Sequence, residues 1–582
     1  MKYLKKLQFK ILQFELRLRY VIKSLSLFSK VLILGLLTIS ILSGLIALRE
    51  VDKNLSIETP DHGGTLREGI IGTPRFVNPV LTISDADRDL TKIIYSGLLR
   101  TNGNSFELDL AEKYEIDEEN LCYTFVLKPD LLWSDGESLT VDDVIFTIDQ
   151  IKNPLTKSSK RASWEGVNVE KIDEKTVRFC LEKPYSPFLE NTTIGIIPKH
   201  IWQDILPEQM PLSIFNIEAI GSGPYKINKI SRNSSGIIVS YELTRNSNFA
   251  LQKPFLNKII FKFYPSEKKL IEDYEAGKID SLSAISPKNI EEIQKAEMNL
   301  KTYLLPRIFA VFFNQNDAPV FTNKEVREAL NLSVDKNAII ENILKNFGIV
   351  INNPIPPGSI GALNEKDQDE ESYESRLEQA RKLLEKNGWV MNEEENVLEY
   401  KTKKETTRLE FSLSTSNLED LVQTANLLKE MWAKIGAKVD VKIYEIGDLE
   451  QNVIRPRKYG ALLFGEVTGR DPDPFAFWHS SQRNDPGLNI ALYTNITVDS
   501  LLEKARETFD TKQREEKYRE FQEEVQEDAP AVFLYSPYFI HILPSYIKGL
   551  DEDSITTPED RFSQIYKWHT NTKRIWKILL PQ

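Results

Sequence analysis

The stretch Trp133-Ser-Asp-Gly-Glu-Ser-Leu-Thr-Val-Asp-Asp-Val-Ile-Phe-Thr-Ile148 reads as a turn that hands over to a capped helix. Asp135-Gly136 is turn chemistry, because glycine takes positive φ at little steric cost. Thr140 is a strong N-cap, and Asp143 three residues on can reach back to the cap's own N–H. Val141, Val144, Ile145, Ile148 and Ile151 follow at helical spacing and predict one apolar face. By themselves these features start a helix in any globular protein, so the rest of the chain has to say which one.

At 582 residues the chain exceeds the size at which single hydrophobic cores stop growing, about 250–300 residues, and more than one domain is expected. Residues 1–50 carry nine Lys/Arg and two Glu, a balance of +7, which leaves −19 for the remainder of a chain whose net charge is −12. An acidic body argues against nucleic acid as a partner, because phosphate neutralisation needs a basic face. The five histidines (His62, His200, His479, His541, His569) are far apart and form no metal-ligand spacing, so no metal and no cofactor are expected. Cys122 and Cys180 lie in strand-like runs. They form a disulfide if those strands are neighbours, or else remain two buried thiols.

From Val31 to Leu48 the chain is apolar and uncharged, long enough to cross a bilayer as a helix. Lys30 and Arg49 bracket it, and Lys2, Lys5, Lys6, Lys10, Arg17, Arg19 and Lys23 precede it. The positive-inside rule keeps that leader in the cytoplasm and exports the rest. No A-x-A-like cleavage site follows, which favours a retained signal anchor over a cleaved signal peptide. Residues 1–30 read as a basic cytoplasmic leader able to lie on anionic lipid, and residues 49–62 as a polar tether.

Beyond the tether, short apolar strands alternate with periodic helices, which favours an α/β or mixed fold over an all-β one. Strands are predicted near residues 123–128, 176–181, 259–264 and 438–444. Helices are predicted near 375–387 and 418–434, with a broken pair over 498–527. The acidic run 365–374 reads as a solvated loop.

The opening stretch resembles the signature of the family 5 extracellular solute-binding proteins, the oligopeptide- and dipeptide-binding receptors of ABC importers. Other matches follow in family order: Asn78-Pro79 with Ile94-Tyr95-Ser96-Gly97-Leu98, Leu110-Ala111-Glu112-Lys113-Tyr114, and Gly221-Ser222-Gly223-Pro224-Tyr225. Glu275-Ala276-Gly277-Lys278-Ile279-Asp280, Val326-Arg327-Glu328-Ala329-Leu330 and Ala380-Arg381-Lys382-Leu383-Leu384 with Gly388-Trp389 continue the series. The resemblance implies a two-lobe α/β fold of the periplasmic-binding-protein type, with an extra inserted α/β subdomain. Lobe I is expected from residues 63–100, 206–306 and 536–582, the inserted subdomain from 101–205, and lobe II from 307–535. The chain is then expected to cross between lobes near Leu305-Pro306 and Phe533-Leu534.

The same resemblance places a ligand-facing loop within Leu463-Phe-Gly-Glu-Val-Thr-Gly-Arg-Asp-Pro-Asp-Pro-Phe-Ala-Phe-Trp-His-Ser-Ser481. Asp471 is the first candidate to pair with a ligand amine and Asp473 the second, while Arg470 is a candidate for an anionic group. Phe475 and Trp478 offer flat apolar walls, or else belong to the core. Ile83, Ser84, Asp85, Phe313, Asn314, Asn489 and Tyr493 are cleft candidates by position. The implied function is binding of a peptide or similar small solute by a monomeric receptor and its delivery to ABC transporter permease subunits. A tethered peptide sensor or extracytoplasmic chaperone is the alternative. An anchored hydrolase is disfavoured, because no Gly-x-Ser-x-Gly elbow or His-Glu-x-x-His helix occurs.

Overall fold

A computed structural model describes residues 20–21, 23–103, 105–290, 293, 298–363, 371–550 and 554–576. The acidic run expected as a loop falls largely outside them, as does most of the basic leader. The chain divides into two units, one of Met1–Asp61 with Thr570–Gln582 and one of His62–His569.

In the first unit a helix spans Leu27–Leu55. Its Leu27–Ala47 portion is apolar and long enough to cross a membrane, and none of it is buried within the protein. The segment expected as a tether, residues 49–62, is largely regular. The helix continues through Arg49 to Leu55, and Ser56–Asp61 then forms a strand antiparallel to Asn571–Trp576. Residues 570–582 therefore group with the N-terminal helix instead of the main body. Backbone pairing with a distant segment explains the change, and no local pattern signals it.

The second unit is built on a mixed sheet. Its central member is the 14-residue strand Ala531–Pro544. The first part of that strand pairs antiparallel with Arg307–Phe313, ending at Phe309 opposite Tyr535. Its later part pairs antiparallel with Met298–Leu304, starting at Leu304 opposite Tyr538. Outward from Arg307–Phe313 lie Ala461–Val467, Glu410–Ser416 and Lys438–Tyr444. On the other side lie Ser281–Ser283, Thr65–Ile71, Lys258–Tyr264, Ile238–Arg245 and Tyr225–Arg232. The partner change falls at Leu305-Pro306 on one strand, as expected. On the other it falls at Ser536-Pro537, beyond the expected Phe533-Leu534, because Val532 and Phe533 are still laddered on Val311 and Ala310. Proline lacks the N–H that a continuous ladder needs. At the first crossing the Arg307 N–H turns back to the Leu305 carbonyl, 2.7 Å away.

Separate cores lie on either side of this crossing. One draws on residues between Leu66 and Phe263 together with Leu543 to Trp568. Two others draw only on residues between Ile308 and Tyr535. A four-stranded antiparallel sheet, Ala111–Ile116, Cys122–Leu127, Thr176–Leu181 and Val167–Lys171 in chain order of neighbours, is separate from the large sheet. Cys122 faces Cys180 across it and the two are disulfide-bonded. Neither is fully buried, so the reading as buried thiols is set aside.

The helix after the opening motif spans Val141–Lys152. The Asp143 carboxylate accepts from the Thr140 N–H at 2.8 Å and from the Lys199 N–H at 2.8 Å, so the cap also holds a second segment. Val141, Val144, Ile148 and Ile151 are buried, as the spacing predicts. The predicted helices appear as Tyr373–Lys386, Glu419–Ala433, Ile496–Glu507 and Thr511–Asp528.

The Gly221-Ser-Gly motif packs against the end of the Asp85–Ile94 helix. The Gly223 N–H donates to the Ile94 carbonyl at 2.8 Å. A Cβ on Gly223 would lie 2.5 Å from the Ile93 carbonyl oxygen and 2.8 Å from the Tyr95 nitrogen. Backbone atoms cannot yield as side-chain tips do, so Gly223→Ala is expected to cost about 1–3 kcal/mol, as overpacking does. Urea unfolding checks this, and a midpoint equal to that of the unaltered chain would refute it.

Candidate functional site

A cavity of about 380 Å³ opens within the second unit. Four stretches wall it: the Asp85–Ile94 helix with Tyr95 and Thr101, residues 160–195, the loop 469–473, and residues 557–560. The loop follows directly on the strand Ala461–Val467, which ladders onto Arg307–Phe313. Its position is therefore set by the crossing strands. The Thr468 N–H donates to the Pro306 carbonyl at 2.9 Å, and the Tyr518 hydroxyl donates to the Pro472 carbonyl at 2.6 Å.

Two arginines of the neighbouring helices hold the loop carboxylates. Arg506 Nε donates to both Asp473 oxygens, at 2.8 and 3.0 Å, and the Tyr185 hydroxyl donates to Asp473 Oδ2 at 3.2 Å. The Arg506 guanidinium lies over the Phe475 ring, 3.7 Å from its centre. Arg514 Nη1 reaches Asp471 Oδ2 at 3.0 Å, and Ser186 Oγ donates to the same oxygen at 3.4 Å. Asp471 Oδ1 is buried and has no hydrogen-bond partner. Burial pushes the Asp471 carboxyl up, and Arg514 pulls it only part of the way back.

The same loop meets the opposite wall through Arg470, Gly469 and Glu190. Arg470 Nη2 donates to Asp560 Oδ2 at 3.1 Å, and its backbone N–H points to Glu190 Oε1 at 3.4 Å. A Cβ on Gly469 would sit 2.9 Å from Glu190 Oε2, so glycine is what lets the carboxylate approach. Burial raises the Glu190 and Glu559 carboxyls. Glu559 Oε2 has no hydrogen-bond partner and faces Arg88 Nε at 3.8 Å. Asp560 goes the other way. Burial pushes it up, but Lys92 at 2.9 Å and Arg470 outweigh that, and Thr101 adds a hydrogen bond at 2.8 Å, so its carboxyl titrates well below the usual range.

Of the sequence candidates, Asp471 and Asp473 line the cavity. Arg470 is buried and paired with Asp560, and it is not among the residues that line the cavity. Phe313 is core, packed on Phe321 at 4.5 Å, and Trp478 is core against Phe533. Asn314 is a buried cap, giving Nδ2 to the Arg457 carbonyl and taking the Asn316 N–H. Asn489 and Tyr493 brace each other, and the Tyr493 hydroxyl donates to Asp528 at 2.6 Å. Ser84 caps the Asp85–Ile94 helix, Asp85 pairs with Arg88 on the surface, and Ile83 is exposed with its backbone taken by Asp87 and Arg88. Phe475 supports Arg506 from behind the cavity. Sequence reasoning missed Tyr185, Glu190, Glu559, Asp560, Arg88 and Lys92. Pro79 and Tyr95 stood inside quoted motifs and do line the cavity.

Asp560 gives a pH test. An acid with a depressed folded pKa contributes stability above its unfolded pKa of about 3.9 and loses it as pH falls toward the folded value. Asp560→Asn is expected to cost about 3–5 kcal/mol at pH 7, as removal of one partner from a buried ion pair does. The gap to the unaltered chain narrows progressively as the pH drops below about 4. Denaturation at several pH values checks both parts, and a gap independent of pH would contradict the assignment.

The cavity is lined by the carboxylates of Glu190, Asp471, Asp473, Glu559 and Asp560 together with Arg88 and Lys92. Residues 105–488 match the family described as bacterial extracellular solute-binding proteins, family 5, middle. The oligopeptide-binding protein AppA of Bacillus subtilis is 28% identical over 84% of this chain and 89% of its own. Its solved structure, in complex with a nonapeptide, superposes with a TM-score of 0.70 over 88% of this chain and 99% of that one. NikZ of Campylobacter jejuni in complex with Ni(L-His) is 28% identical, with a TM-score of 0.70 over 87% and 99%. The ABC transporter substrate-binding protein CtaP of Listeria monocytogenes is 26% identical, with a TM-score of 0.75 over 88% and 100%. With fold, motif order and family match in agreement, the chain belongs to the family 5 bacterial extracellular solute-binding proteins.

Proposed function

We propose that this protein is a membrane-anchored receptor that captures a short peptide or compact solute and delivers it to the permease of an ABC importer. The observation that carries the reading is the cavity itself. Its loop 469–473 is clamped between Arg506 and Arg514 on one side and Tyr185, Glu190 and Asp560 on the other, and the walls gather several carboxylates with Arg88 and Lys92. Convergent charged groups of both signs in a walled pocket suit a polar solute that carries both donors and acceptors. The peptide and nickel–histidine ligands of AppA and NikZ are of matching polar character. The volume suits a small ligand, since such pockets start at about 300 Å³.

In this reading lobe I comprises residues 63–100, 206–306 and 536–569, with 101–205 inserted, and lobe II comprises 307–535. The partner changes at Pro306 and Pro537 and the separate cores support the division. Retention of the Leu27–Leu55 helix keeps the receptor at the extracytoplasmic face of the membrane. The length of the apolar run, the basic leader and the lack of an A-x-A-like site after the run support that retention.

Native mass spectrometry of the protein as purified tests the binding reading. The expected result is a non-covalently bound small solute or peptide. Absence of any bound species, together with no binding from a mixed peptide library, would sink it. For a peptide with a free amine, Asp471→Asn is expected to weaken binding about tenfold or more, because a desolvated charge pair loses one partner. N-acetylation of the peptide should shrink that difference. Calorimetric titration decides, and equal affinities for both forms of the protein would remove Asp471 from the site.

A further inference from the structure

The five carboxylates that line the cavity differ in how far the protein neutralises them. Asp473 has Arg506, Asp471 has Arg514, and Asp560 has both Lys92 and Arg470, each pair within 3.1 Å. Glu559 stands 3.8 Å from Arg88. Glu190 is the exception. Among the described residues its side chain forms no ion pair and takes one hydrogen bond, from the Arg470 backbone N–H at 3.4 Å. The Arg470 guanidinium itself is turned to Asp560. Lys160 also lines the cavity, but it is exposed and pairs with none of the five.

Glu190 is held firmly in spite of this. It lies in the short helix Phe188–Asn191. Phe188 is fully buried, with its ring centre 4.7 Å from that of Tyr123 and 5.7 Å from that of Trp164. Asn191 Nδ2 donates to the Ser163 carbonyl at 2.8 Å and ties down the other end. A carboxylate fixed in this way loses little freedom when a ligand arrives. Burial raises its carboxyl, and a cation placed beside it lowers it again. The rings of Tyr95, Trp164 and Tyr185 line the same cavity. Aromatic faces suit the alkyl stem and the charged head of lysine or arginine. A divalent metal asks for several oxygens. Among the described residues no three His, Cys, Asp or Glu are grouped to hold one, so an organic cation fits Glu190 better. We infer that Glu190 seats a cationic side chain of the captured solute, and that the preferred ligands are short peptides carrying lysine or arginine. The inference rests on the capture reading above, and it gives Glu190 a group other than the amine assigned to Asp471.

A mixed tripeptide library passed over the full-length protein, and over Glu190→Gln, tests this, with the retained peptides read by mass spectrometry. The unaltered protein is expected to retain peptides containing lysine or arginine several-fold more than those containing aspartate or glutamate. Glu190→Gln is expected to keep neutral peptides and lose that preference. No preference in the unaltered protein, or an equal preference in the variant, would overturn the inference and leave capture intact. No peptide retained by the unaltered protein would overturn both. A titration that needs no variant decides the matter if Glu190→Gln fails to fold. Alanyl-norleucyl-alanine keeps most of the alkyl stem of alanyl-lysyl-alanine and drops the ammonium. It is expected to bind the unaltered protein about tenfold or more weakly, as loss of one partner of a desolvated charge pair does. Equal affinities for the two peptides would refute the cationic seat.

Discussion

The strand Ala531–Pro544 is shared by both halves of the main unit, and the rest of the arrangement depends on that sharing. It ladders first onto Arg307–Phe313 and then onto Met298–Leu304, so one continuous backbone belongs to both halves of the sheet. The partner changes beside Pro306 and Pro537, while Gly348–Val350 ladders across the same stretch, opposite Pro537 to Tyr535, and Phe309 stacks on Tyr535 with ring centres 5.2 Å apart. Proline contributes no N–H at either crossing, whereas packed cores on either side resist deformation. In the proposed reading, closure on a ligand would turn about these residues, as in hinge-type transitions.

The crossing also fixes the chemistry of the cavity. Loop 469–473 begins where the Ala461–Val467 strand leaves its partner, and Thr468 is tied to the Pro306 carbonyl. The loop carries its two carboxylates to residues 185–190, where the Ser186 N–H also donates to the Arg506 carbonyl at 3.0 Å. Each contact across the cavity uses a charge that is already paired on its own side: Asp473 with Arg506, Asp471 with Arg514, Asp560 with Lys92. Pre-paired charges need little reorganisation when the walls meet.

Periodicity and capping foretold the elements well, because they are local. Thr140 and Asp143, the 438–444 strand and the broken helix pair after residue 496 all follow from neighbouring residues. The cavity was legible only in part. Asp471 and Asp473 were found through the resemblance, but Glu190 and Asp560 come from stretches with no pattern of their own and meet the loop only through the fold. Phe313 and Asn314 were drawn into the expected site by their place at the end of the first strand of lobe II, and Asn489 and Tyr493 by their likeness to the family's pattern after the loop. Each is instead buried and satisfied by its own neighbourhood. The antiparallel return of Asn571–Trp576 was invisible for the same reason, since its partner lies more than five hundred residues earlier.

The central claim is that two halves hinged at Pro306 and Pro537 close around a solute. Small-angle scattering of the purified protein, with and without a ligand recovered from it, tests this most directly. The account predicts a smaller radius of gyration at saturating ligand, with the ligand-bound profile matching the closed arrangement of loop 469–473 on residues 185–190. An unchanged radius of gyration on saturation by a ligand of verified affinity would contradict it.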